Sequence, residues 1–252
     1  MLSLTDKILT LLYYCLENYD SGFEDLYHPE KFIFNSFSKG YHPRTVYQEL
    51  WKLKKSGALK KSSRDGQTYY HLTATGKTGP AKAIPLLRFQ RQWDGKWRIV
   101  IFDIDEKHRR LRDTVRTKLR QLGFGLWQRS IWLTPFDVAD DMNNFLEKLD
   151  LKGTVEVLEA KRLFVSDEKA LAAKVWDLPK LNDTYHRLEV EWIEAREQYI
   201  KNLPILRKIA ASLQNRYLEI TWHDPGLPTA LLPEPWAGDS VKKLFFEWNK
   251  IV

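Results

Sequence analysis

Residues 93–135 read WDGKWRIVIFDIDEKHRRLRDTVRTKLRQLGFGLWQRSIWLTP. From Trp97 to Ile104 the chain is almost continuously apolar, with Ile99, Val100, Ile101 and Phe102 at its centre, which predicts a strand buried on both faces. Asp105 stands where a helix cap would, ahead of a helical pattern from Glu106 to Leu122 that lines Leu111, Val115, Leu119 and Leu122 along one face. Gly123 supplies the stop.

After Leu122, GFGLWQRSIWLTP reads as a strand alternating around Leu126, Gln128, Ser130 and Trp132. A helix over Ala139–Leu149 follows, then a strand over Gly153–Glu159 and another around Arg162–Val165. Strand, helix, strand, helix, strand, strand fits a central ferredoxin-like domain of the βαββαβ type with a terminal hairpin. The fold class expected for the whole chain is α+β.

On the N-terminal side, Leu4–Asn18 carries apolar residues at 4, 8, 11, 12, 15 and 16, one helical face, with Ser3 or Thr5 as its cap. Cys15 lies on that stripe and reads as packing rather than as a nucleophile. A second helix is expected from Pro29 through Phe32, Ile33 and Phe37 to Gly40. A third starts at His42-Pro43 and stops at Gly57, with Val46, Leu50 and Leu53 facing a core and Trp51 near it. After Gly57 the period changes to that of a β-hairpin, Ala58–Lys61 and Gln67–Thr73, turning at Arg64-Asp65-Gly66. Three helices and a basic hairpin are the order of a winged helix-turn-helix. In such a module Arg44, Thr45, Tyr47, Gln48, Lys52 and Lys55 would face duplex DNA from the third helix, and Lys60, Lys61 and Arg64 would reach phosphates from the wing. A winged helix used only for protein contacts is the alternative.

Charge distribution favours the DNA reading. The chain of 252 residues carries a formal +7, distributed as +3 over residues 1–80, +5 over 81–165 and −1 over 166–252. Two runs hold most of the excess. Residues 42–64 contain Arg44, Lys52, Lys54, Lys55, Lys60, Lys61 and Arg64 against Glu49. Residues 107–120 contain Lys107, Arg109, Arg110, Arg112, Arg116, Lys118 and Arg120 against Asp113. Such runs are an electrostatic footprint for polyanions. The second reads either as a further nucleic-acid surface (Lys107, Arg109, Arg110, Arg112 and Arg116) or as a solvated helix face.

Composition excludes other classes. With 43% hydrophobic and 29% charged residues the chain is not largely disordered. A single cysteine excludes a disulfide framework. No apolar run approaches the roughly 20 residues that cross a bilayer. The start, MLSLTDKILTLLYYCLEN, lacks signal-peptide character because Asp6 and Lys7 interrupt it. A cytoplasmic protein with no membrane partner is expected. No phosphate-cradling glycine loop, nucleophile elbow or metal-spaced histidine pair occurs, so no strong enzyme signature is present.

The C-terminal third predicts helices over Leu178–Tyr199, Pro204–Tyr217 and Ser240–Trp248. Between the last two lies an irregular stretch with Pro225, Pro228, Pro233 and Pro235, anchored by Leu227, Leu231, Leu232 and Trp236. The domains expected are residues 1–79, a winged helix; 80–92, a linker; 93–167, ferredoxin-like; and 168–252, helical. Length alone would have allowed about two domains.

The central stretch 93–135 resembles that of the PaaX family of phenylacetic acid degradation repressors, and so does DPGLPTALLPEPWAG at 224–238. GALKKSSRDGQTYYHLTATGK at 57–77 is similar to the wing region of bacterial winged-helix regulators. The resemblance implies a transcriptional regulator of repressor type, binding double-stranded DNA as a homodimer. It also implies a C-terminal domain that dimerises and answers an effector such as an acyl-CoA thioester. The central block is also similar to the small CRISPR-associated endonuclease of spacer acquisition, where an aspartate at the end of the first strand belongs to a metal-dependent site. Asp103 matches that aspartate by its place in IVIFDI. Hence the alternative function is a metal-dependent nuclease or CRISPR-adaptation-like factor, with Asp103 as the catalytic and metal-binding residue and Mg or Mn as cofactor. On the simpler reading Asp103 and Asp105 end a strand and cap a helix, with no catalytic residue and no cofactor.

Overall fold

The computed structural model describes residues 3–17, 26–27, 41–64, 67–83, 92–149, 151, 154–161 and 167–251. The expected helix at 29–40, the Asp65-Gly66 turn, the strand at 162–165 and the Cys15 side chain lie outside what is described. The chain divides into two compact units. One comprises residues 1–84, 182–223 and 236–252; the other comprises 85–181 and 224–235.

The first unit begins with α1 (Leu4–Glu17), capped by Ser3, whose Oγ accepts from the Asp6 backbone N–H at 3.1 Å. Strand β1 (Leu26–Tyr27) is followed by α2 (Pro43–Lys55), then by β2 (Leu59–Arg64), β3 (Gln67–Leu72) and α3 (Ala74–Ala83). The strands form an antiparallel sheet in the order β1-β3-β2, and β2 and β3 are in register from Leu59↔Leu72 to Arg64↔Gln67. Helix α3 is not announced by the sequence: Gly76 and Gly79 weaken its signal. Ile8, Leu11 and Leu12 of α1 are buried, as are Val46, Leu50 and Leu53 of α2 and Leu59 and Leu72 of the hairpin. Also in this unit are most of α7 (Leu178–Tyr199), α8 (Leu203–His223) and α9 (Ala237–Ile251). Their core is aromatic: Trp192 meets Trp248 edge-on at 5.9 Å and Tyr217 lies 4.8 Å from Phe245, and all four are buried.

The second unit holds an antiparallel sheet of four strands, β4 (Trp97–Phe102), β5 (Gly125–Gln128), β6 (Ile131–Thr134) and β7 (Val155–Ala160), in the order β5-β6-β4-β7. Helices α4 (Arg109–Gln121) and α5 (Ala139–Lys148) bury Val115, Leu119, Met142 and Leu146. Three expectations are corrected here. The single strand around Leu126–Trp132 is two strands, because Arg129 turns the chain at φ +34°. Among the described residues the order is therefore strand, helix, strand, strand, helix, strand. Asp105 does not cap the helix; a 3-10 turn at Glu106–His108 precedes α4, and the Asp105 carboxylate pairs instead with Lys107 at 2.8 Å. Nor is β4 buried on both faces. Val100 and Phe102 are buried, whereas Ile101, on the other face, is 40% exposed, and Leu158 of β7 is 47% exposed.

Part of that other face is covered by α6 (Glu168–Trp176), a helix that local pattern does not reveal. Trp176 stacks on Trp97 at 6.2 Å, and Trp97 Nε1 donates to Glu168 at 3.0 Å. Gly125 makes the approach possible: a Cβ there would lie 2.3 Å from Val175 Cγ1 and 2.7 Å from the Trp176 ring. The proline-rich stretch follows the same helix, with Leu227, Leu231 and Leu232 buried as expected and Lys169 of α6 bound to Glu234 at 2.5 Å.

Candidate nucleic-acid interface

Helix α2 begins with Pro43, whose ring presets the φ of a first helical turn and whose missing N–H has no partner to lose there. His42 caps it, its Nδ1 accepting from the Arg44 backbone N–H at 3.3 Å. Val46, Leu50 and Leu53 are sealed in the core. At about 100° per residue, the opposite side of the helix carries Arg44, Gln48, Trp51 and Lys55, with Tyr47 on one margin and Lys52 and Thr45 on the other. All seven are exposed.

Trp51 departs from its expected place near the core. It is 60% exposed, in the middle of the solvent face. Lys55 Nζ stands over its ring, 5.1 Å from the centroid. The wheel positions 44, 48, 51 and 55 hold this signal; aromatic character alone suggests burial.

Glu49 is the one acid in the basic run 42–64, and it is engaged twice. Its carboxylate accepts from Lys52 Nζ and from Thr5 Oγ1 of α1, each at 2.6 Å. The Lys52 hydrogen bond, followed by that of Thr5, holds the carboxyl below its ordinary range. Lys52, on the margin of the face, is the cation Glu49 holds, while Arg44 and Lys55 stand on its axis.

Beyond α2, Gly57 adopts φ +76°, the left-handed turn that ends the helix and starts the hairpin. Lys60 and Lys61 are both exposed, but strand alternation sends them to opposite sides of β2. Arg64 ends the strand opposite Gln67. At the far end of β3, Thr73 closes the hairpin. Its Oγ1 donates to the Gly57 carbonyl at 2.6 Å and accepts from the Gly76 N–H at 3.1 Å. The Gly76 position lies so close to the Ala58 carbonyl that a Cβ would sit 2.1 Å from its oxygen. The Leu72-Thr73 step and the following Gly76-Lys77 thus seat α3 on the base of the hairpin.

The second basic run is partly neutralised by neighbouring acids. Arg112 pairs with Glu106 at 2.6 Å, Arg109 and Arg116 with Asp113 at 3.8 and 3.7 Å, and Lys107 with Asp105. Arg110 is exposed, as are Lys107 and Arg109, whereas Arg112 and Arg116 are half-buried. Such pairs, their acids open to water, add little stability and reduce the field available to an incoming anion.

Asp103 is exposed at the end of β4. Among the described residues no three His, Cys, Asp or Glu side chains gather as a metal site would. Two residues on, the exposed Asp105 carboxylate pairs with Lys107 at 2.8 Å. No helix among the described residues is long and apolar enough to cross a membrane.

Two family models match the chain from residue 90 onward. Residues 90–172 match the family described as the PaaX protein central Cas2-like domain, and residues 176–252 match the PaaX-like protein C-terminal domain. The chain is 27% identical over 226 residues to the transcriptional repressor PaaX of Escherichia coli strain K12, covering 81% of this chain and 67% of that one. In fold it resembles an uncharacterized protein, Rv0674, from Mycobacterium tuberculosis, with a TM-score of 0.59 and 20% identity, across 98% of this chain and 95% of that one. Two adjoining domain matches in the family's own order, joined to the similarity with the repressor, give the result: the chain belongs to the PaaX-like family.

Proposed function

We propose that this chain is a transcriptional regulator that binds duplex DNA through α2 and the β2–β3 hairpin and represses the genes it binds. The observation that carries the reading is the division of α2. Val46, Leu50 and Leu53 seal one side, while Arg44, Gln48 and Lys55 lie exposed on the other, next to a hairpin bearing Lys60 and Lys61. A helix about 10–12 Å across fits a major groove about 12 Å wide, and arginine and glutamine are side chains that read base edges there. On this reading residues 1–79 form a winged helix. Lys52, Lys60 and Lys61 meet phosphates, as does Arg64 at the strand end, and Thr45 and Tyr47 border the base contacts. Repression is the activity named for the E. coli relative.

Residues 93–167 are read as a ferredoxin-like domain, supported by the antiparallel order β5-β6-β4-β7. Its exposed Ile101 and Leu158 suit a homodimer contact, and a two-fold dimer matches a palindromic operator. Residues 168–252 take the effector role, for which the family resemblance suggests an acyl-CoA thioester. For the effector to release DNA it must bind the DNA-free arrangement more tightly than the DNA-bound one.

The test is binding of the full chain to a random-sequence duplex library as a function of salt. Affinity should fall steeply, with log K linear in log salt concentration. Arg44→Ala should lower affinity for the selected duplex, and Lys60→Ala should reduce the salt slope by about one. A chain that retains no duplex, or keeps full affinity in both variants, would refute the reading.

A further inference from the structure

We infer that Trp51 reads sequence, by laying its indole against the methyl group of a thymine in the major groove. The inference rests on the proposed DNA-facing role of α2 and goes beyond it, because that role draws on the polar and charged side chains of the helix and leaves its largest exposed ring without one.

Among the described residues, the one charged or aromatic partner of its ring is the Lys55 ammonium above it. Leu50 and Leu53 close the core without it, and 60% of Trp51 remains in water. A large exposed aromatic ordinarily marks a contact surface. Tyr47, one helical turn earlier and also more than half exposed, extends the apolar strip along the helix. Cations stand at both ends of that strip: Arg44 begins it, and Lys55 lies over the Trp51 ring at 5.1 Å. Cations at both ends of the strip complement the phosphates that line both walls of a duplex DNA groove.

Chemistry narrows the contact. Base-pair edges in the major groove present hydrogen-bond donors and acceptors, and their one apolar group is the thymine C5-methyl. Indole offers mainly an apolar face, so the methyl is what it matches. Gln48 lies on the same side of α2, nearly one turn away, and has the amide geometry for an adenine edge. The two side chains together favour A·T pairs under the centre of α2.

The test uses the best duplex selected by the full-length wild-type chain. Trp51→Ala should lower its affinity about tenfold, and Trp51→Phe, which keeps an apolar face, should lose less. Replacing the site's thymines one at a time by deoxyuridine removes only a methyl and leaves the protein untouched. At one position this should weaken wild-type binding several-fold and leave Trp51→Ala unaffected, the coupling that a double-mutant cycle reads as direct contact. Thermal melts that match wild type would show that both variants are folded. If deoxyuridine has no effect on wild type, or the same effect on Trp51→Ala, the inference is overturned while the regulator reading stands. Loss in Trp51→Ala confined to single-stranded oligonucleotides would also overturn it and make Trp51 a stacking platform for unpaired bases. A wild-type chain that selects no duplex would sink both readings.

Discussion

The Thr5 hydroxyl donates to the Glu49 carboxylate at 2.6 Å, joining α1 to α2 across 44 positions of sequence. The same carboxylate holds Lys52. One acid therefore ties the basic helix to its neighbour and pairs with one of its exposed lysines.

Glu49→Gln removes that charge while keeping the shape. Stability should drop by about 1 kcal/mol at neutral pH, the ordinary worth of a charge-assisted hydrogen bond partly open to water. Glu49 titrates below its usual 4.5 in the folded chain, so its contribution is complete above that value and disappears as pH falls through the lowered one. Urea melts at neutral and acid pH should show the wild-type advantage over Glu49→Gln shrinking on acidification. An advantage that is constant with pH would contradict this account.

Arg98 gives a second prediction. Its side chain is 3% exposed, and its guanidinium holds Asp94 in a fork at 2.7 and 2.9 Å, with Glu159 at 3.2 Å and Asp137 at 3.4 Å. Burial works against the guanidinium charge, and the carboxylates of Asp94, Asp137 and Glu159 outweigh it, raising its pKa. Arg98 in turn holds the Asp94 carboxyl below its usual 3.8, so this stabilisation is complete above that value and is lost as pH falls through the lowered one. Asp94→Asn should cost about 1–2 kcal/mol at neutral pH, limited by the two acids that remain and by the solvent-facing side of Asp94. Arg98→Ala should cost more, about 2–3 kcal/mol, because it removes a buried side chain and leaves three carboxylates facing one another. Denaturant melts that rank the two variants in the opposite order would refute the assignment.

Gly76 provides a third, purely steric test. Any Cβ at this position meets the Ala58 carbonyl oxygen at 2.1 Å, and backbone cannot swing aside as a flexible side chain can. Gly76→Ala should destabilise the chain by about 2 kcal/mol despite the higher helix propensity of alanine. If the hairpin carries phosphate contacts, the variant should also weaken duplex binding at temperatures where it remains folded. A thermal midpoint equal to wild type would show that α3 does not seat on the hairpin base as described.

Local order is legible in the sequence wherever one residue's chemistry decides one local geometry. His42-Pro43 announces the start of α2 and Gly57 its end. The 46–50–53 spacing names its buried face, and the alternation after Gly57 announces the hairpin. Family membership is legible too, in the 93–135 and 224–238 blocks. Hidden from it are features set by partners distant along the chain. Aromatic character points Trp51 toward the core, and only the packing of Leu50 and Leu53 leaves it outside. Arg129 splits one apparent strand into two because pairing with β4 rewards a hairpin that local pattern does not announce. Ile101 looks buried on apolar run alone; its exposure depends on how far α6 reaches across the sheet. Periodicity and capping act within a few residues and so are written in the sequence, whereas the exposure of a given face depends on which other segment comes to cover it, and that is decided only when the chain is folded.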